Sequence, residues 1–198
     1  VRMIYNPQLQ SAYQFVPGVM AMVLLLICSL MTSVAIVREK EMGTMEVLLV
    51  SPIKPLWVIT AKTIPYLSLS FVNICSILLL SYFVLHVPIR GNLFLLLSMG
   101  VLFSITSLSL GMFVSTIAQT QTAAMFGTLI GLFMPTLMLS GFMFPIENMP
   151  IPLQVVSNLV PSKWFFYLVN SIMIKGLGLS SIWKESAILA GMTLIMLF

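Results

Sequence analysis

Four stretches of this chain, residues 17–37, 63–85, 93–117 and 123–140, run for eighteen residues or more without one charged side chain. A fifth opens at Ser186 and continues to Phe198. About 20 apolar residues in a helix cross the hydrocarbon core of a bilayer. Backbone polar groups left open to lipid are too costly to tolerate, so such runs must be helices or strands of a closed barrel. A barrel strand alternates apolar and polar residues, whereas these runs are continuous. The expected fold is therefore an all-α integral membrane protein, a polytopic helical bundle. Composition agrees: 60% of the 198 residues are hydrophobic and 7% charged, against about 25% charged in soluble domains.

The short polar links 86–92 and 118–122 make the second, third and fourth spans antiparallel neighbours. The link at 38–62 is different. It concentrates Arg38, Glu39, Lys40, Glu41, Glu46, Lys54 and Lys62 between two spans. Met42, Met45, Leu48 and Leu49 recur there at helical spacing, with Glu39, Gly43 and Glu46 on another face, which predicts an amphipathic helix along the membrane surface. Pro52 and Pro55 end it, and Pro55 suits the first turn of the next helix, with Trp57 at interface depth. Periodicity fits an interfacial anchor and a docking surface equally. Charge totals do not orient the chain: Arg38, Lys40, Lys54 and Lys62 face Arg2, Arg90, Lys163, Lys175 and Lys184 across it. The tight basic cluster beside the first two spans tilts the 38–62 link toward the cytoplasm.

"YNPQLQSAYQFVPGVMAMVLLLICSLMTSVAIVREKEMGTMEVLLVSPIKPLWVITAKTIPY" and "LMLSGFMFPIENMPIPLQVVSNLVPSKWFFYLVNSIM" together resemble the permease subunit of an ABC type-2 exporter, over nearly the whole chain and in the same order. The resemblance implies that 38–62 is cytoplasmic and carries a coupling helix that docks on an ATP-hydrolysing subunit. Glu39, Lys40, Glu41, Gly43, Thr44, Glu46, Ser51, Pro52 and Lys54 would form the contact region. It implies about five of the family's six transmembrane helices here, with residues 1–16 as the end of an extracellular domain. The chain opens without Met and stops within an apolar run, so it reads as a piece of a longer protein. A second permease subunit would complete a dimer. ATP and Mg would be bound by the partner ATPase and not by this chain, which contains no G-x-x-x-x-G-K-[ST] loop.

Residues 141–185 are too proline-broken for one span and too apolar for a plain loop. They suit short helices interrupted at Pro145, Pro150, Pro152 and Pro161, packed against protein at membrane depth. The resemblance makes this a re-entrant extracellular hairpin that caps an exit path, with Phe144, Pro145, Glu147, Pro150, Pro161 and Trp164 as gate residues. Glu147 itself reads as a loop acid or helix-end charge ahead of a substrate contact. Ser104, Ser107, Gly111 and Ser115 in the third span, and Gly127 and Gly131 in the fourth, form small faces for close helix packing within one subunit, ahead of a dimer seam. Pro135 is expected to kink the fourth span. Asn73 and Ser76 read as interhelical hydrogen-bonding groups ahead of selectivity residues.

Catalysis and metal binding find no support. The chain has no Asp, its one His is His86 at a span end, and Cys28 and Cys75 sit inside apolar runs. No basic patch with interleaved aromatics suggests nucleic acid. Sixteen Met residues are adaptable packing, or the wall of a permissive cavity. The expectation is a permease of the bacterial inner membrane moving a hydrophobic or amphipathic drug-like or lipid-like substrate, because a bare charge at membrane depth is costly. A passive channel or structural membrane subunit is the alternative.

Overall fold

The computed structural model describes residues 12–44, 55–85, 91–144 and 146–197. The described residues are helical with no strand. Helix α1 is Ala12–Glu41, α2 is Pro55–Phe83 and α3 is Leu93–Ile117. The fourth span runs Gln121–Leu139. It is built from α4 (Gln121–Thr128), a π turn (Leu129–Phe133) and α5 (Met134–Leu139). A 3-10 turn, Ile146–Asn148, precedes the short helices α6 (Ile151–Ser157) and α7 (Pro161–Met173), and α8 (Leu179–Leu197) closes the order.

Local chemistry sets several of these ends. Asn92 caps α3, its side-chain oxygen accepting from the Phe94 N–H at 2.9 Å, and Thr120 caps α4 by accepting from the Ala123 N–H at 3.2 Å. Pro55 opens α2 and Pro161 opens α7, where a missing N–H costs nothing. Pro135 is the second residue past the π turn, whose wider loop leaves room for the hydrogen bond that proline cannot make.

Among the described residues four helices are long and apolar enough to cross a membrane: Phe15–Glu41, Thr63–Phe83, Leu93–Ile117 and Gln121–Leu139. The stretch expected from Ser186 lies inside α8, whose earlier turns carry Lys184 and Glu185, and α8 is not among the four. Half of the apolar window of α1 and of α3 is buried, against 17% for α2 and for the fourth span. Helices α1 and α3 are therefore the centre, and the other two spans are flanks. The core joins Met20, Leu24 and Leu25 of α1 to Ile74 of α2 and to Leu96 and Phe103 of α3. It continues into Phe165, Leu168 and Ile172 of α7 and Leu189 of α8.

Helix α7 runs antiparallel to α3. Near its start the Phe165 ring stacks on Phe103 with centroids 4.2 Å apart. Near its end the Ile172 carbonyl lies against Gly91, just before α3 begins. Phe103 is ten residues into α3, so the start of α7 lies about 15 Å along that helix.

Candidate functional site

The end of the bundle that carries the charged link is built by the last turn of α1. This helix does not stop at Val37 but continues to Glu41, so Glu39, Lys40 and Glu41 belong to the spanning helix itself. The chain then turns: the Met42 N–H donates to the Arg38 carbonyl at 3.0 Å and the Gly43 N–H to Lys40 at 3.2 Å. Gly43 adopts φ +70°, a left-handed conformation that glycine takes without a Cβ penalty. The Thr44 hydroxyl reaches back to the Glu39 carbonyl at 3.2 Å. Arg38, Glu41, Met42, Gly43 and Thr44 are exposed. Glu46, Ser51, Pro52 and Lys54 lie outside the described residues, as does the amphipathic helix expected there.

Lys40 and Glu41 turn toward other helices. The Lys40 ammonium donates to the Ser115 carbonyl of α3. The Glu41 carboxylate accepts from the Gln121 side-chain amide at 2.6 Å and from the Gln121 backbone N–H at 3.4 Å. Beneath them Val37, Ala118 and Ala124 are buried together, with Val34 against them. Sequence reasoning found Lys40 and Glu41 but not Ser115 as an acceptor, nor Gln121. The available signal was Thr120–Gln121, a capping residue followed by an amide.

The small residues of the third span and of the fourth differ: those on α3 are buried, whereas Gly131, expected on a close-packing face, is exposed with no neighbour within 4 Å of where a Cβ would stand. Ser104, Ser107, Gly111 and Ser115 are all buried on α3. Ser104 and Ser107 bond to their own helix, at the Gly100 and Phe103 carbonyls, both at 2.9 Å. Two hydroxyl pairs cross between helices: Ser33 with Thr128 at 3.0 Å and Thr106 with Thr193 at 2.6 Å. Asn73 is half-buried, while Ser76 is exposed and bonds back to the Val72 carbonyl at 2.9 Å. Gly127 and Gly131 line an open, mostly apolar groove of about 590 Å³ with Phe113, Ile117 and Leu132.

At the opposite end Phe144 is exposed, Glu147 falls in the 3-10 turn, and Pro150 is the N-cap of α6. Pro145 lies outside the described residues. The turn from α6 to α7 is closed by Lys163, which is only 8% exposed. Its ammonium donates to Ser157 Oγ at 3.0 Å and Asn158 Oδ1 at 2.7 Å, and stands 5.4 Å from the Trp164 ring centroid. The Trp164 Nε1–H donates to the Asn158 carbonyl at 2.9 Å. A buried ammonium is tolerable only with such partners. The sequence reading counted Lys163 only in the charge totals for orientation and missed this role. Among the described residues no His, Cys, Asp and Glu group could hold a metal ion.

Spanning helices packed closely together and followed by short proline-started helices before the last helix define a multi-pass helical membrane protein. The chain belongs to the ABC-2 family of transporter proteins, whose pattern it matches over residues 2–198. It is 34% identical over 172 residues to the "Probable multidrug ABC transporter permease YbhS" of Escherichia coli (strain K12), covering 87% of this chain and 46% of that protein. It is 35% identical over 189 residues to the "Inner membrane transport permease YhhJ" of the same strain, covering 93% and 49%. A more distant relative is the "ABC transporter G family member 20" of Dictyostelium discoideum, 26% identical over 195 residues, 98% of this chain and 27% of that one. The chain thus spans about half the length, or less, of these relatives. No solved structure matches it.

Proposed function

We propose that this chain is the membrane-spanning part of a permease subunit in an ATP-driven exporter, working with a second permease subunit and two ATPase domains. The ATPase would dock on the link at 38–62 and supply ATP and Mg. The observation that carries this reading is the link end: a spanning helix that continues unbroken into a charged turn, with Arg38, Met42 and Thr44 exposed beyond the bundle. A helix continuous with its docking surface passes displacement into the membrane without a loose joint. The substrate is hydrophobic or amphipathic, since the described span interiors hold no Lys, Arg, Asp or Glu away from their ends. The name "multidrug" carried by YbhS supports that class, and "inner membrane" carried by YhhJ supports placement in a bacterial inner membrane. The short helices α6 and α7 would cap the exit, with Phe144, Pro145, Glu147, Pro150, Pro161 and Trp164 at the gate. An exposed stripe of Phe126, Ile130, Met134 and Met138 on the fourth span suits a second subunit.

The test uses the full-length protein in membranes. Single cysteines at Met42, Thr44, Glu46 and Ser51 are to be cross-linked, with and without ATP, to the ATPase expressed from the neighbouring gene. Cross-links that change with nucleotide are the expected outcome. Their absence at every position, with both chains folded and present, would favour a channel or structural subunit instead.

A further inference from the structure

Lys40 and Glu41 are adjacent in sequence, opposite in charge, and each meets the helix end that its charge suits. The last carbonyls of a helix lack intrahelical partners and carry partial negative charge, while the first N–H groups carry partial positive charge. The Lys40 ammonium donates to the Ser115 carbonyl, in the last turn of α3. The Glu41 carboxylate accepts from the backbone N–H of Gln121, the first residue of α4, and from its side-chain amide. Two successive residues of α1 therefore cap both helices across the turn at 118–120. Reversing either charge would set it against the dipole it now complements.

We propose that Lys40 and Glu41 are positioning residues that pass movement of the α1 link end to α3 and the fourth span together. The inference deepens the permease reading and rests on it. The apolar seat beneath the pair is small, Val37 with two alanines, and cannot by itself hold three helix ends in register. The fourth span is only 17% buried in its apolar window, and midway along it the Ser33–Thr128 hydroxyl pair holds it to α1. The pair Lys40 and Glu41 adds a hold at the link end in three polar contacts. The exposed residues at this turn are Arg38, Glu41, Met42, Gly43 and Thr44.

The experiment uses the full-length permease with its ATPase, Cys28 and Cys75 replaced by alanine, and one reporter cysteine at a time. Met42→Cys reports on the link, and Gln119→Cys reports on the exposed α3–α4 turn. Maleimide labelling rates are compared with and without ATP plus vanadate. Both reporters should respond in the parent complex. In Lys40→Ala/Glu41→Ala the response at 119 should fall at least five-fold while that at 42 persists. Glu41→Gln keeps an acceptor oxygen for the Gln121 amide and should retain most of the response. Gln121→Ala, which leaves α1 untouched and serves should the double variant not assemble, should lose about half. A full response at 119 in the double variant, or in Gln121→Ala where only that variant assembles, with the response at 42 intact, overturns the clamp. No response at either reporter in the parent complex refutes the permease reading and takes the clamp with it.

Discussion

The contact at the centre of the bundle can be broken by a single methyl group. A Cβ on Gly111 of α3 would stand 2.5 Å from the Ser29 carbonyl oxygen of α1, 2.9 Å from its Cα and 3.0 Å from its carbonyl carbon. All three obstacles are backbone, so no rotamer change relieves them. Helices α1 and α3 must separate by roughly 0.5–1 Å to restore normal contact, which forfeits about a quarter to a half of each dispersion contact along the seam. Overpacking of this kind costs about 1–3 kcal/mol. For a chain of this size that lowers the unfolding midpoint by roughly 3–10 °C. Gly131 is the control, because a Cβ there would meet nothing within 4 Å, and alanine gains about 1 kcal/mol in helix propensity. Thermal unfolding of the detergent-solubilised full-length protein, followed by size-exclusion chromatography after heating, reads both. Gly111→Ala should melt early and Gly131→Ala at or above the parent. Equal midpoints for Gly111→Ala and the parent would show that α1 and α3 are not packed backbone to backbone.

Gly43→Ala puts a Cβ on a residue at φ +70° with open space around it. The penalty is therefore conformational alone, about 1–2 kcal/mol, and limited proteolysis should find the link cut faster while the spans stay protected. Lys163→Ala strands Ser157 and Asn158 at the α6–α7 turn and should cost about 1–3 kcal/mol. Lys163→Met should cost less, since it restores the packed stem without a buried charge; a larger loss for Met than for Ala in the same melting assay would contradict the burial of the stem. A double-mutant cycle on Ser33→Ala and Thr128→Ala should return a coupling of about 0.6 kcal/mol, the usual worth of a hydrogen bond between membrane helices. A coupling of zero would mean that the two hydroxyls do not meet.

The spans were legible because lipid imposes length and apolarity without ambiguity. Helix α3 begins and ends where its apolar run does, at Leu93 and Ile117, helped by the Asn92 cap. Which spans are central was not legible from hydropathy, since lipid and a protein core accept the same side chains and the amphipathic signal vanishes. Small residues carried that information instead: the run Ser104, Ser107, Gly111, Ser115 marked α3 as a packed helix, and all four are buried. The end of α1 was misplaced at Val37 because charge normally ends a span. Arg38 to Glu41 continue the helix since Lys40 and Glu41 find partners on α3 and α4, which no local pattern reveals. The prolines at 150 and 161 were read correctly as breaks, yet each stands at a helix start. Lys163 went unrecognised because a lysine beside a proline looks like a solvated loop, although its acceptors Ser157 and Asn158 lie within six residues.

The distribution of polar contacts also dictates how the bundle can move. Most midspan hydroxyls, Ser29, Ser104 and Ser107 among them, bond to their own helix, so the faces they occupy pack closely without being pinned. Helix α1 is pinned to the fourth span at two heights, Ser33 with Thr128 and Glu41 with Gln121. Those points are eight residues apart on α1, about 12 Å along the axis, and two points fix a tilt where one would leave a pivot. Helix α2 meets the centre mainly through apolar residues, Ile74 and Leu78, in the shared core, with buried Ser70 set against the weakly bonding Cys28 thiol of α1, and such contacts resist sliding far less than strong directed bonds do. A push on α1 should therefore carry α3 and the fourth span with it and open the bundle between α1 and α2. Spin labels paired across α1 and α2, and across α1 and α4, in the complex with and without nucleotide, measure this. The first distance should change by several ångströms and the second by less than one; the reverse pattern would show that the polar pins do not set the moving unit.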